Sequence, residues 1–348
     1  MIAVLLYGGG FPMTRLEKLE QSLGIPLPAS IQREIVCAMA MQIKRVFDEL
    51  IRQAAQGSVL HNDDTSMTVL SLRRDIQDET DDPGRTGIFT SGIVSARDGR
   101  HIALFFTGRQ HAGENLAIIL AKRVDALEPP IQMCDALARN LPKMPQTLEV
   151  IVSHCLAHSR RRFVEVTPNF PDECRHGLEA LGKVYHHDAL ARKQELSAQE
   201  RLLYHQQHSA PEMDQLKQWL NDQLEQKKVE PNSGLGGAIG YLLKYWDRLT
   251  LFLRQPGAPL DNNLCETSLK RAILHRKNSL FYKTKRGAEV GDLFMSLIHT
   301  AELCGANPFD HLTQLQHHAD QLEQHPQDWM PWNYQATIDR ASPAAHTG

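Results

Sequence analysis

Between Ser58 and Ser153 the chain alternates strand-like and helix-like stretches in an order that few folds accommodate. Ser58 to Leu72 is rich in Val, Thr and Met, and Thr86 to Ser95 in Ile, Phe, Thr and Val. Both are strand compositions, because branched and aromatic side chains fit a pleated, half-buried surface. Asp98-Gly99 is a strong two-residue hairpin turn, so His101 to Thr107 reads as a third strand. Gly113 to Val124 reads as a helix, Ile131 to Cys134 as a short strand ending at Asp135, Ala136 to Asn140 as a short helix, and Leu148 to Ser153 as an apolar strand. The predicted order is β-β-β-α-β-α-β, an antiparallel meander followed by α/β crossovers.

That order is the layout of the ribonuclease-H-like fold, which places acids on its first strand, at the end of its fourth, and on a later helix. Here the first strand holds Asp63 and Asp64, the fourth ends at Asp135, and a later helix holds Glu266. Strand alternation puts Asp63 and Asp64 on opposite faces without saying which face is the site. The segment Leu260-Asp261-Asn262-Asn263-Leu264-Cys265-Glu266 leads into a basic run. From Thr267 to Ala288 there are seven Lys/Arg (Lys270, Arg271, Arg276, Lys277, Lys283, Lys285, Arg286) and no Asp or Glu. Basic side chains attract a phosphate backbone, and a hard divalent cation needs carboxylate oxygen. A competing reading makes Asn263 an N-cap and Glu266 its capping-box partner three residues on; the basic run is then a solvated helix face.

Around this core the chain reads as helical. Residues 14–56 carry Leu16, Leu19 and Leu23 at helical spacing, then a longer stripe from Ile35 to Ile51, with a break at Gly24 to Pro28 and Ser30 as a cap. Two short helices around a turn could bind DNA, but serve simple packing more often. Glu212 to Lys227, Leu235 to Arg254, Val290 to Leu303 and Phe309 to Leu322 read as further helices. Trp329 to Tyr334 reads as an aromatic tail docked on the surface. With 42% hydrophobic residues, 23% charged residues and a formal net charge of -3, the chain is no polycation, so DNA binding must come from local patches. The six cysteines and seventeen histidines show none of the spacings of a zinc site or a disulfide framework. No stretch reaches the roughly 18 apolar residues of a membrane span. The opening, Met1 to Gly10, lacks the features of a signal peptide.

The ordered motifs resemble the DDE transposases of bacterial insertion sequences, specifically the insertion-sequence-sixty-six family, from about Leu16 to Tyr334. The motifs are His61-Asn62-Asp63-Asp64-Thr65, Met133-Cys134-Asp135-Ala136-Leu137, Cys155-Leu156-Ala157-His158-Ser159-Arg160-Arg161-Arg162-Phe163, Leu260-Asp261-Asn262-Asn263 with Glu266, Arg276-Lys277-Asn278-Ser279-Leu280-Phe281, and Met330-Pro331-Trp332-Asn333. The chain departs from the family pattern at Thr267, where an Arg is usual, and at Ile31 and Arg33. It also lacks the upstream coiled-coil-like and zinc-binding region, so its start is expected to fall late relative to its relatives.

The resemblance implies Asp63, Asp135 and Glu266 as catalytic acids and metal ligands, Asp63 being the acid two residues before Thr65. It implies two Mg²⁺ ions, with Mn²⁺ as a substitute, roughly 3.5–4 Å apart, and cleavage followed by strand transfer on double-stranded DNA. Arg160, Arg161, Arg162, Lys270, Arg276, Lys277, Lys283, Lys285 and Arg286 are the expected phosphate contacts, with Lys270 and Lys277 on the helical face of Glu266. Asp64, His158, Asn262 and Asn263 are expected to support the site, the two asparagines as the helix cap. A homo-oligomer on DNA, in the bacterial cytoplasm with the nucleoid and away from membranes, is implied likewise. The expected division is a helical N-terminal segment 1–56, the first part of the core 57–160, a helical insertion 161–258, the Glu266 helix and basic segment 259–290, C-terminal helices and tail 291–338, and a disordered end 339–348. Rival readings are a nuclease that cuts without joining, an impaired truncated copy that inhibits transposition by binding DNA or multimerising, and a zinc-binding regulator.

Overall fold

The computed structural model describes residues 1–77, 85–143 and 149–341. Leu148 and residues 342–348, which the sequence assigned to a strand and to a disordered end, lie outside the described residues. Among the described residues the protein is mixed α/β with five strands. It divides into two compact units, Met1–Pro129 with Arg139–Leu148 and Leu264–Gly348, and Pro130–Ala138 with Glu149–Asn263.

The first unit is built on three antiparallel strands, β1 (Val59–Ser66), β2 (Phe89–Arg97) and β3 (Arg100–Gly108). Asp98 and Gly99 join the last two with φ of 51° and 74°. Paired positive φ values match the right-handed twist of the strands that the turn joins. In the register, Asp63 faces Gly92, Asp64 faces Ser91, and Gly92 faces Phe105. Ile93, Val94, Leu104 and Phe105 are wholly buried. Helix Lys44–Ala54 contributes Val46, Phe47, Leu50 and Ala54 to the same core.

Helix Lys285–Leu303 closes the outer edge of β3 by side-chain hydrogen bonds. The β3 amides of Ala103, Phe105 and Thr107 donate to Thr300 Oγ1 (3.1 Å), Ser296 Oγ (3.0 Å) and Asp292 Oδ2 (2.6 Å). Four helical residues rise about 6 Å, and two strand residues span about 6.6–6.8 Å. A helix with polar residues at every fourth position therefore matches the alternate amides of a strand. The pairing satisfies backbone groups that would otherwise template aggregation. Asp292 is buried, and burial raises its carboxyl to about 7 against the opposing effect of its Thr107 hydrogen bonds.

Several boundaries differ from the sequence reading. The first strand ends at Ser66 rather than Leu72, and Leu70–Gln77 is a helix. The intervening residues pair instead with the segment after the Glu266 helix: Tyr282 N donates to Thr68 O and Leu70 N to Tyr282 O, each at 2.9 Å. A Thr- and Val-rich composition fits this short parallel bridge as well as it fits the meander. The stripe from Ile35 to Ile51 divides at the buried Ile43 into helices Ala29–Gln42 and Lys44–Ala54. Ser30 lies inside the first of these, which follows Pro28, a residue whose missing N–H costs nothing at a helix start. The element order therefore carries an extra helix between β1 and β2, and the short helix after Asp135 is only the 3-10 turn Ala138–Asn140.

The second unit pairs two parallel strands, β4 (Ile131–Cys134) and β5 (Ile151–His154), with Ile131 opposite Ile151 and Cys134 opposite His154. All of β4 is buried, as parallel strands usually are. Helices Leu156–Val166, Pro171–Lys193, Ala198–His208, Ala210–Glu225 and Gly234–Lys244 follow. The single helix expected over Leu235 to Arg254 breaks at Tyr245 and again at Thr250. Buried Asp188 ties Arg192, Arg201 and His205 together. Burial would raise its pKa, but these partners outweigh burial and hold it below the usual carboxylate range. Back in the first unit, the aromatic tail docks as expected: Trp329 and Met330 are buried, and Trp329 O accepts from His311 Nε2 at 2.9 Å. The final helix, Tyr334–Ala341, extends through the start of the expected disordered end.

Candidate active site

β1 presents its two acids to different surroundings. Asp64 has a side chain 1% exposed. It accepts hydrogen bonds from Ser91 Oγ (2.7 Å) and His111 Nδ1 (3.0 Å), and Asn115 Nδ2 in turn donates to Ser91 Oγ (2.8 Å). Its oxygens are engaged within the core. Asp63, on the other face, is half-buried. Its Oδ1 accepts from Asn140 Nδ2 at 3.2 Å and from the Asp64 amide at 2.8 Å. Asn140 is anchored through its own carbonyl, which accepts from Asn62 Nδ2 at 2.8 Å. A Cβ on Gly113 would stand 2.4 Å from Leu141 O and 2.7 Å from Arg139 O, so only glycine lets the Asn140 segment approach this closely.

The Glu266 helix, Asn263–Ser279, lies against β2. Cys265 Sγ donates to Gly92 O at 3.3 Å, and Gly92 is the ladder partner of Asp63. A Cβ at Gly92 would meet Leu269 Cγ and Cδ2 at 2.8 Å, so the helix rests on a bare backbone. The Cys265 thiol is pushed well above its ordinary pKa, first by burial and then by the charges of Asp63, Glu266 and Asp64. Asp63 is thus the ladder partner of the glycine on which the residue before Glu266 rests. Downstream, Arg276 Nη1 donates to Thr65 Oγ1 (3.1 Å), Ser66 Oγ (2.6 Å) and Ser66 O, pinning the helix to the end of β1. On another side, His299 Nε2 meets Ser268 Oγ at 2.9 Å. The opening segment also packs here, Asn278 Nδ2 donating to Gly10 O at 2.9 Å.

The helix begins at Asn263, so the competing reading of Asn263 as the residue before the helix is one position late. Asn263 is already helical, and its amide and Nδ2 donate to the two carboxylate oxygens of Asp261 at 3.1 and 2.9 Å. Asn262 is buried, its amide donating to Cys155 Sγ at 3.3 Å. Capping boxes form at Ser197 with Glu200 and at His111 with Glu114.

Asp135 follows β4 in the second unit, its Oδ1 accepting from Leu137 N at 3.1 Å. It lines a cavity of about 510 Å³ with His158, Arg161, Arg162, Tyr241 and Lys244 among its neighbours. His154 is lowered to about 4, by burial and then by Arg248, with Asp135 opposing; it is neutral at pH 7. Burial raises the Tyr241 hydroxyl to about 12. Of the basic residues, Arg160, Arg161, Arg162, Lys270, Lys277, Lys283, Lys285 and Arg286 are exposed, whereas Arg276 is half-buried and committed to β1. His158 is half-buried. Gly92, Gly113, Cys265 and Asn140 were missed by the sequence reading. The one local signal was a glycine inside a strand pattern, at Gly92, which marks close backbone approach.

Carboxylate oxygen is what a hard divalent cation takes, and Asp63 and Glu266 are carried by β1 and by the helix that packs on its neighbour β2. Residues 1–290 match the family model described as Transposase IS66 family. Three uncharacterized proteins of Sinorhizobium fredii are similar to the chain. Protein y4jD is 34% identical over 193 residues, 53% of this chain and 36% of its own length. Protein y4hP is 26% identical over 94% of this chain and 60% of its own length. Protein y4qI is 22% identical over 96% of this chain and 61% of its own length. The chain spans about 60% of the length of the two relatives that it matches nearly end to end. Among the described residues no helix is long and apolar enough to cross a membrane.

Proposed function

The chain belongs to the transposase IS66 family, and from that premise we propose that it cleaves and transfers DNA strands with Asp63, Asp135 and Glu266 as its acids. The observation that carries this reading is the packing of the Glu266 helix on Gly92, the ladder partner of Asp63, where a bare backbone keeps the helix close to β1's acid. The order of the acids along the chain supports a ribonuclease-H-like core: first strand, end of the fourth strand, later helix.

Asp63 and Glu266 are the groups of the first unit that would hold divalent metal, Mg²⁺ by preference and Mn²⁺ as a substitute. Asp135 is assigned with them on its motif. Such ions, two per site, supply positive charge that stabilises the charge developing on a phosphodiester. The side chains do the remaining work. Asn140 and the Asp64 amide hold the Asp63 carboxylate in one orientation, which removes reorganisation from the reaction. Lys270, one turn beyond Glu266, and Lys277 stand exposed and attract the phosphate backbone. Arg160, Arg161 and Arg162 offer guanidinium forks to phosphate oxygens. Cleavage frees a 3′ hydroxyl at an element end. That hydroxyl then displaces one ester oxygen of a target phosphate, so the joined strand needs no covalent protein intermediate. A homo-oligomer in the bacterial cytoplasm would bring two DNA ends together.

The test is Mn²⁺-dependent nicking of supercoiled plasmid by the purified chain, beside Asp63→Asn, Asp135→Asn and Glu266→Gln. Nicking that vanishes in all three variants supports the assignment. Nicking that survives in any of them removes that acid from the set. A folded chain that binds DNA and nicks nothing favours the inhibitory reading. A strand-joining assay separates a transposase from a plain nuclease.

A further inference from the structure

The cavity at Asp135 is built for more than a phosphate contact. Its charged lining is three cations, Arg161, Arg162 and Lys244, against Asp135 and Glu165, so it favours an anion. One wall is a single face of helix Leu156–Val166, and the other carries Tyr241, in the last turn of helix Gly234–Lys244, and Tyr245, the residue that ends it. The Arg162 guanidinium lies 4.0 Å from the centroid of the Tyr241 ring. Tyr241 and Tyr245 meet edge to face at 5.0 Å, and Lys244 Nζ sits 5.1 Å from the Tyr245 centroid. Tyr245 also meets the ring of His154 at 5.4 Å and 88°; that histidine is neutral at pH 7, so it adds no charge.

Phosphate recognition uses the cations alone and makes no use of the two tyrosine rings that line the cavity. Duplex DNA offers such a cavity no base face, because its bases are stacked on each other. An unpaired nucleotide offers a flat π surface and a phosphate together. Aromatic rings and guanidinium planes are the surfaces on which unstacked bases settle, and a cavity near 510 Å³ is within the usual range for small ligands.

We propose that this cavity binds one unpaired nucleotide of the DNA substrate, its base stacked against Arg162, Tyr241 and Tyr245, its phosphate held by Arg161 and Lys244. The site rests on the reading of the chain as a DNA strand transferase and adds a preference for distorted or single-stranded DNA. A base held here marks a position where the duplex has opened.

The experiment measures fluorescence anisotropy of labelled single-stranded and duplex oligonucleotides on the full chain at matched salt. Tyr241→Leu is expected to weaken single-strand binding by about 5- to 150-fold, the usual worth of one stacked base, and to leave duplex binding within about twofold by the same reasoning. Tyr241→Phe keeps the ring and is expected to bind as the parent does. Lys244→Ala, at an exposed position, is expected to lower the salt slope of single-strand binding by about one. With the parent, dAMP should compete for the site where inorganic phosphate at equal concentration does not. Equal losses on single-stranded and duplex DNA would overturn the proposal, as would competition by phosphate equal to that by dAMP. Loss in Tyr241→Phe as large as in Tyr241→Leu would do so too. The plasmid assay fails separately: selective single-strand binding without nicking sinks the transferase reading alone, and nicking without strand preference sinks the nucleotide site alone.

Discussion

Gly92→Ala tests whether close approach of the Glu266 helix to β2 positions the candidate acids. The added methyl would lie 2.8 Å from Leu269 Cγ and Cδ2 and 3.5 Å from Cys265 Sγ, and Leu269 is buried. Carbon atoms settle at about 3.5–4.0 Å, so a gap of roughly 0.7–1.2 Å must open, by a rotamer change of Leu269 or by lifting the helix. Overpacking of this kind costs about 1–3 kcal/mol, and replacing glycine recovers about 0.4–1 kcal/mol from the unfolded chain. The expected net loss is roughly 0–2.5 kcal/mol. Leu269→Ala alone should cost about 2–5 kcal/mol for the cavity it leaves. In the double variant the new methyl occupies space vacated by the leucine. It should therefore be more stable than the sum of the two losses by about 1–3 kcal/mol. Urea unfolding followed by circular dichroism gives all four corners of the cycle. Nicking should fall by up to about 10²-fold in Gly92→Ala, as for a misplacement near 1 Å, and recover in part in the double variant. Additivity of the two stability losses within about 0.5 kcal/mol would refute the contact and with it this account of how Glu266 is positioned.

Three further outcomes are expected. Asp292 keeps its proton to about pH 7 when folded and releases it near 3.9 when unfolded, so the native state binds more protons between these values. Stability from this group is full below about pH 4 and is lost as pH rises toward about 7; Asp292→Asn should flatten that slope, read by urea unfolding at several pH values. Asp64→Ala should cost about 1–3 kcal/mol by stranding Ser91 and His111, whereas Asp63→Asn should not lower Tm, because it removes like charge beside Glu266; a Tm loss in Asp63→Asn matching that of Asp64→Ala would contradict the division of roles. Arg276→Ala should lower stability by about 1.5–3 kcal/mol through its bonds to Thr65 and Ser66 and leave the salt slope of DNA binding unchanged, while Lys277→Ala should reduce that slope by about one; a reduced slope in Arg276→Ala would return that residue to the DNA.

By itself the sequence determined what is local. Asp98-Gly99 fixed the hairpin because few residues tolerate paired positive φ. Alternation fixed that Asp63 and Asp64 point apart, and helical periodicity placed Lys270 and Lys277 at steps that return to the side of Glu266. Short apolar runs fixed β4 and β5 to within a few residues. The tertiary structure decided what depends on partners distant in the chain. Asp64 is the engaged acid because Ser91 and His111 reach it, and neither is predictable from the acid itself. Arg276 left the basic face because the end of β1 lay within its reach. The stripe from Ile35 to Ile51 broke at Ile43, and the run from Leu235 to Arg254 broke at Tyr245, because apolar periodicity is blind to a change of helix axis. Residues 67–69 left the meander because another backbone segment competed for their hydrogen bonds. Propensity and period describe how a residue relates to its neighbours along the chain, whereas a hydrogen bond or a 2.8 Å exclusion at Gly92 depends on which distant backbone arrives there.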